Sequence, residues 1–366
     1  MSSSLYHIAL SMIPKVGPRL ARNLVSYLGS PEAVFKEKKS TLSKVPGIGT
    51  AILNGINISE VLQNAELELK SIEEKDIKYL FYLDKLFPYR LRECDDAPIL
   101  LFYKGENCFN SEKLISVVGT RRATEYGESL TSKLIEDLKL LAPDTIIVSG
   151  FAYGIDIAAH KAAMDAKLKT IAVFGHGVEQ VYPSLHKRYL QGVLENGCVC
   201  SEFQHNKKPD PGNFVSRNRI IAGLTDATVV VESGEKGGAL ITADMANSYN
   251  RDVFAFPGRT NDKYSRGCNK LIKSNLATLI ESAEDMVKFL RWDIAAKAVP
   301  IQRSMFIDLP PQEDALFQLL KDSKNMSLDD LSHLSKMPVA TVSALLLNLE
   351  FKGIVRSLPG KNYVLV

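Results

Sequence analysis

A succession of loops in this 366-residue chain carries residues able to grip phosphate, each where an apolar run gives way to a helix-forming segment. The first is Gly119-Thr120-Arg121-Arg122. A glycine turn entering a helix offers backbone N–H groups to an anion, and the hydroxyl and two guanidiniums add side-chain donors. In Ser149-Gly150-Phe151-Ala152-Tyr153-Gly154-Ile155-Asp156, two glycines admit a close backbone approach, Ser149 can donate and Asp156 can cap the next helix. Gly175-His176-Gly177 precedes Tyr182-Pro183 and Lys187. His176 has no carboxylate or nucleophile beside it in sequence, so it reads as a polar loop residue rather than a general base.

Arg217-Asn218-Arg219 follows Lys207 and Lys208. Placed at a helix start, as expected, these cations would oppose the dipole and must answer a negative partner, either a ligand or a carboxylate such as Glu202. Ser233-Gly234-Glu235-Lys236-Gly237-Gly238 is another glycine-rich turn, and Arg259, Lys263, Arg266 and Lys270 follow it. Phe151, Tyr153, Tyr182 and Phe214 are available for stacking on bases. No G-x-G-x-x-G, Walker A lysine, G-x-S-x-G, metal-ligand cluster or catalytic dyad occurs. A rim rich in phosphate-binding groups and poor in catalysts suits a binder, with no catalytic residue, cofactor or metal expected.

Those loops need a scaffold that puts them on one rim. The runs 114–119, 145–150, 169–175, 198–202, 227–232, 252–258 and 276–280 are apolar throughout and alternate with helical segments. Strands of that kind are covered on both faces, which predicts an α/β, Rossmann-like, doubly wound, mostly parallel sheet. Its ligands belong at the C-terminal ends of the strands. Residues 1–72 read as a helical domain of the helix-hairpin-helix (SAM-like) kind, because Ile13-Pro14-Lys15-Val16-Gly17 recurs as Val45-Pro46-Gly47-Ile48-Gly49. The central domain is expected over 73–290, with a lead-in of short strands and turns at 73–112. A linker at 291–309 and a winged helix at 310–366 follow, the latter as three helices and a hairpin turning at Pro359-Gly360.

The net charge of +3 is small, so a polyanion must be met by locally gathered cations. Five cysteines without a C-x-x-C pair read as reduced, mostly buried thiols. The opening MSSSLYHIALSMIPK does not read as a signal peptide, and no apolar run is long enough to span a membrane, so a cytoplasmic protein is expected.

Taken in order, VGTRR (118–122), SGFAYGIDIAAH (149–160), TIAVFGHGVEQVYP (170–183), NFVSRNRIIAGLTD (213–226), KGGALITADMA (236–246), VFAFPG (253–258) and GCNKLI (267–272) resemble the DprA/Smf family. The resemblance spans nearly the whole central domain, and the flanking units suit common members. It implies a protein that binds and protects single-stranded DNA, loads the RecA recombinase in natural transformation, dimerises through the Rossmann-like domain and has no established catalytic activity. The family's G-S/T-R motif falls on Gly119-Thr120-Arg121, its basic residue after Y-P on Lys187, and its R-N-R on Arg217-Asn218-Arg219. Tyr153 stands where many members have arginine, which suggests stacking rather than charge at that loop, and Val215 where many have proline. The DNA-binding residues are expected to be Gly119, Thr120, Arg121, Arg122, Ser149, Gly150, Tyr153, Gly154, Lys187, Arg217, Asn218, Arg219, Lys236, Gly237 and Gly238. Arg121, Lys187 and Arg219 are expected as exposed anchors of little weight in folding.

Two other readings compete. A LOG-like nucleoside-monophosphate phosphoribohydrolase needs P-G-G-x-G-T-x-x-E, whereas Gly237-Gly238-Ala239-Leu240-Ile241-Thr242-Ala243-Asp244 keeps only the glycine pair and has Asp for Glu. A sequence-specific regulator needs cations on its recognition helix, and 338–350 contains no Lys or Arg.

Overall fold

Each apolar run of the central region becomes a strand, and in the interior of the sheet alternate side chains of one strand find a helix layer on either face. The computed structural model describes residues 3–49, 52, 55, 57–292, 309–321, 323, 325–358 and 360–365. Strands β1 (Lys78–Phe81), β2 (Leu100–Gly105), β3 (Leu114–Val118), β4 (Ile146–Ser149), β5 (Thr170–Val173), β6 (Gly197–Ser201), β7 (Ala227–Val230), β8 (Asp252–Ala255) and β9 (Thr278–Leu279) form a nine-stranded sheet. Its order is β1-β2-β6-β5-β4-β3-β7-β8-β9, parallel from β6 to β9 and antiparallel at β1 and β2.

Ile115, Val117 and Ile147 point to the helices Glu125–Leu141, Ile155–Asp165 and Ala283–Phe289. Leu114, Val118, Ile146 and Val148 point the other way, to Pro211–Leu224 and Gly238–Ser248. Small residues in these helices, such as Ala159 and Ala163 on one side and Ala239 and Ala243 on the other, are buried against the sheet. Burial of each large aliphatic side chain contributes about 1.5–3 kcal/mol.

The lead-in does more than pack on the sheet. It supplies β1 and β2, which continue the sheet beyond β6. Arg90 fastens it: its guanidinium donates to both carboxylate oxygens of Asp226 (2.6 and 2.9 Å) and to the carbonyls of Ser111 and Glu112. Asp226 also accepts the Leu114 N–H at 2.9 Å, so one buried ion pair fixes the starts of β3 and β7.

The helices Ser3–Ser11, Pro18–Leu28, Pro31–Lys36, Lys39–Leu42 and Ile58–Glu74 share a continuous apolar core with the sheet: Ile8, Leu24 and Ile72 join Phe102, Phe174 and Val199. The sequence repeat is also a repeat of conformation. Lys15 (φ 62°) and Gly47 (φ 90°) occupy the same place in it, and both are left-handed. Val16 N–H donates to Ile13 O and Ile48 N–H to Val45 O, closing equivalent turns. Residues 50, 51, 53, 54 and 56, which follow the second copy, lie outside the described residues.

The chain divides into two compact units, Met1–Asp293 and Ile294–Val366. The second holds the helices Pro311–Lys321, Leu328–Ser335 and Val339–Phe351 around Leu316, Leu331, Val342 and Leu346. Its sheet, in the order β10 (Met326–Ser327), β12 (Asn362–Leu365), β11 (Val355–Leu358), completes a winged helix. The hairpin is present as expected, although Pro359 of its turn is outside the described residues. The two-residue β10 is too short to leave a periodic signal in the sequence. No helix among the described residues is long and apolar enough to cross a membrane. All five cysteines are buried.

Candidate nucleic-acid interface

From β3 the chain builds outward through β4, β5 and β6, then returns to place β7 on the other side of β3. The loops leaving β3 and β7 therefore diverge over opposite faces, and the crevice between them is where open α/β sheets take ligands. A cavity of about 640 Å³ lies there. Of the residues expected to bind, it is lined by Gly119, Thr120, Arg121, Arg217, Asn218, Lys236, Gly237 and Gly238, together with Tyr182 and Phe214.

The Gly119–Arg122 turn is held rigidly. Thr120 N–H donates to Glu232 O at 2.8 Å, and Ile155 N–H donates to Thr120 O at 3.2 Å. Glu232 also accepts the Thr124 hydroxyl (2.6 Å) and N–H (3.0 Å), and Thr124 caps the Glu125–Leu141 helix through Gly127 N–H. Gly154 has φ 74°, and any Cβ there would run into Thr120 O and the Arg121 backbone. Arg121 and Arg122 project from this clamp exposed, with the Arg121 guanidinium 5.9 Å from the Phe214 ring centroid. Phe214 and Tyr182 lie 5.4 Å apart, tilted by 35°.

At the turn after β7, Gly237 is the N-cap of the Gly238–Ser248 helix and provides no side-chain cap. Asn218 donates to Gly238 O at 3.3 Å, tying this turn to the Pro211–Leu224 helix.

The second loop divides its duties. Ser149 is buried and donates to Val117 O at 2.7 Å. Gly150 makes room for the Arg217 guanidinium, which a Cβ would displace. Phe151 is fully buried, which corrects the expectation that it could stack on a base. Tyr153 is exposed, edge-on to His186 at 5.0 Å, and His186 precedes the exposed Lys187. Tyr153, Lys187 and Arg122 thus stand outside the cavity lining. Asp156 lies in the first helical turn behind the N-cap Gly154 and accepts the Ala152 N–H at 3.4 Å. Burial raises its carboxyl, with Arg217 opposing the shift. His176 is buried with Nδ1 3.0 Å from Gly177 O, and burial lowers its ring.

The R-N-R segment differs most from expectation. Asp210 caps the helix by accepting Gly212 N–H and Pro211 takes the first position, so Arg217 and Arg219 lie well inside the helix, not at its start. Neither is an exposed loop cation. Arg219 forms an ion pair with Glu202 and donates to Asp96 O, with the paired side chains 10% and 13% exposed. Arg217 is 3% exposed, lines the cavity and donates to Val173 O, while its Nε has no hydrogen-bond partner. Burial pushes Arg217 down to about 10; Asp156 opposes that shift and Arg121 adds to it.

Sequence reasoning missed Glu232, Asp156 as the neighbour of Arg217, and the cavity residue Tyr264. Glu232 ends the run 227–232, just past β7, but its reach to Thr124 spans 108 residues and leaves no local trace.

Fold and site together define a Rossmann-like α/β protein whose switch-point cavity is walled by glycine turns and cations, with helix-hairpin-helix and winged-helix units at its ends. The family model described as DNA recombination-mediator protein A matches residues 78–291. The DprA winged helix domain matches 307–361, and a SAM-like helix-hairpin-helix tandem matches 8–56. Protein Smf of Synechocystis sp. is 30% identical over 99% of this chain and 98% of its own length. DNA processing protein DprA of Streptococcus pneumoniae is 40% identical over 56% of this chain and 71% of its own. An X-ray structure of DprA from Streptococcus pneumoniae aligns with a TM-score of 0.67 at 32% identity, covering 79% of this chain and 98% of that one. DNA processing protein A from Helicobacter pylori, whose structure addresses its single-stranded DNA binding mode, aligns at 0.54 and 27% identity over 59% and 96%. The chain belongs to the DNA recombination-mediator protein A (DprA/Smf) family.

Proposed function

We propose that this chain binds single-stranded DNA along the rim of the switch-point cavity, protects the strand and delivers it to a RecA-type recombinase during transformation, without catalysing a reaction itself. The observation that carries the reading is the clamped Gly119–Arg122 turn facing the uncapped Gly237–Gly238 turn across a cavity that also presents Tyr182 and Phe214. Phosphates suit the glycine turns and Arg121, Arg122, Lys187 and Lys236, while bases suit the aromatic rings, including Tyr153. Arg217 and Asn218 form the wall, Ser149, Gly150 and Gly154 shape it, and Arg219 braces it through Glu202. Membership of the family and the strand-binding relative from Helicobacter pylori support the same reading.

The homodimer joined through the Rossmann-like domain rests on the family resemblance, whereas the cytoplasmic location and the divisions at 1–72, 73–290 and 310–366 rest on the sequence; the linker read at 291–309 falls mostly outside the described residues. The test is fluorescence anisotropy with single strands and duplexes of equal length, followed by strand exchange in which RecA must displace a single-strand-binding protein. Preference for the single strand and faster RecA loading support the proposal. Equal affinity for duplex sinks the strand assignment, and unchanged RecA kinetics sink the loading role.

A further inference from the structure

The cavity holds more positive charge than one phosphodiester needs. Arg121, Arg217, Lys236, Lys263 and Arg266 line it against two carboxylates, Asp156 and Glu235, and Glu235 pairs with Arg266 at 3.2 Å. Each internal nucleotide of a strand brings a single negative charge, whereas a phosphomonoester carries about −1.5 to −2 at neutral pH. Arg217 is the sharpest sign of a missing partner. It is 3% exposed, it lines the cavity, and its Nε is unpartnered. Arg121 nearby adds to the depression of its guanidinium that burial begins, a like-charge conflict that a bound dianion would relieve.

The uncapped N–H groups of the 11-residue Gly238–Ser248 helix open on the same space, as do the tilted rings of Tyr182 and Phe214. At about 640 Å³ the cavity has the capacity of a single small-ligand site, within the usual range of roughly 300–1,000 Å³.

We infer that the cavity is a single-nucleotide pocket that takes a nucleoside 5′-phosphate, free or at a strand's end, as a phosphomonoester held by Arg217, Arg121 and the Gly237–Gly238 turn with its base on Tyr182 and Phe214. Because the pocket lies within the proposed strand-binding rim, the inference rests on that reading, and free nucleotide then competes with the strand.

The test is isothermal titration of the full chain with dTMP, inorganic phosphate, thymidine, and a short oligothymidylate with a 5′-hydroxyl or a 5′-phosphate. The expected result is one dTMP per chain, with phosphate or thymidine alone weaker by at least about tenfold. dTMP at about ten times its Kd should raise the apparent Kd of the hydroxyl-ended strand about tenfold. If the strand end is the source instead, the 5′-phosphate tightens oligonucleotide binding about tenfold while free dTMP binds weakly. Lys236→Ala should weaken dTMP with an unchanged melting temperature, which avoids disturbing the buried Arg217. If neither dTMP nor a 5′-phosphate has any effect while the hydroxyl-ended strand binds, the inference falls and the strand reading stands. If dTMP binds and no oligonucleotide does, the strand reading falls and the pocket remains.

Discussion

Replacing Arg219 separates a brace from a ligand contact. Its guanidinium pairs with Glu202, and the two side chains are 10% and 13% exposed. Burial already raises the Glu202 carboxyl, with Arg219 opposing and Asp96 adding to the rise. Arg219→Ala leaves that carboxylate enclosed beside Asp96 without its counter-ion, and breaking a buried pair from one side costs about 3–5 kcal/mol. For a unit of this size about 2 °C is lost per kcal/mol, so the melting temperature should fall by roughly 6–10 °C. Glu202→Gln in the same background should restore part of the loss, because the stranded charge disappears. A carboxyl whose folded value lies above its unfolded value of about 4.3 binds its proton preferentially in the folded state. The deficit of Arg219→Ala should therefore narrow as the pH falls from about 7 to about 5. Calorimetry across that range, beside single-strand affinity at a temperature where both proteins are folded, makes the measurement. A melting temperature within about 2 °C of the parent's, with strand affinity lost, would refute the brace and make Arg219 a strand contact.

Gly154→Ala places a methyl group against Thr120 O in a left-handed backbone, so the Arg121 turn should shift; anisotropy should show single-strand affinity lower by about tenfold, and unchanged affinity would contradict the clamp. His160 is fully buried, and burial holds its ring down at about 3. Its folded value lies below the unfolded one, so its contribution is intact above about 6.5 and declines by up to roughly 1.4 kcal/mol per pH unit below it. His160→Gln should flatten the acid limb of the stability profile, and an identical limb would remove this cause. A chain ending near residue 298 should retain most single-strand affinity, since the recognition helix Val339–Phe351 has no Lys or Arg and exposes Val339, Leu347 and Phe351. A tenfold loss in a folded truncation would make the winged helix a DNA reader.

The parallel strands were legible because runs such as LISVV and ATVV are buried on both faces and carry their own signature. β1 and β2 were legible as extended chain, but the antiparallel pairing of β2 to β6 joins Phe102 to Ser201 and leaves no local trace in the sequence. The glycine turns between strand and helix were legible, since each loop and the helix it opens are contiguous in sequence. The charges of Arg217 and Arg219 suggest a helix start there, but Asp210-Pro211 upstream is itself a helix-start signal and sets it. With the start at Pro211, helical periodicity carries both arginines inward to partners on β5, the β6 loop and the lead-in. Phe151 was misread for a similar reason: its left-handed backbone (φ 59°) turns the ring into the core, and nothing local announces that conformation.

The salt dependence of single-strand binding, compared between the parent chain and Arg121→Ala, tests the central claim most directly. Each phosphate neutralised on a single strand contributes a slope of about −0.7 in log K against log salt. Arg121 projects exposed from a clamped turn, so its loss should leave the melting temperature within about 1 °C. The account predicts that affinity falls across oligonucleotides of different sequence and that the slope becomes shallower by about 0.7. Parallel salt plots with equal affinity would show that the strand does not bind at this rim.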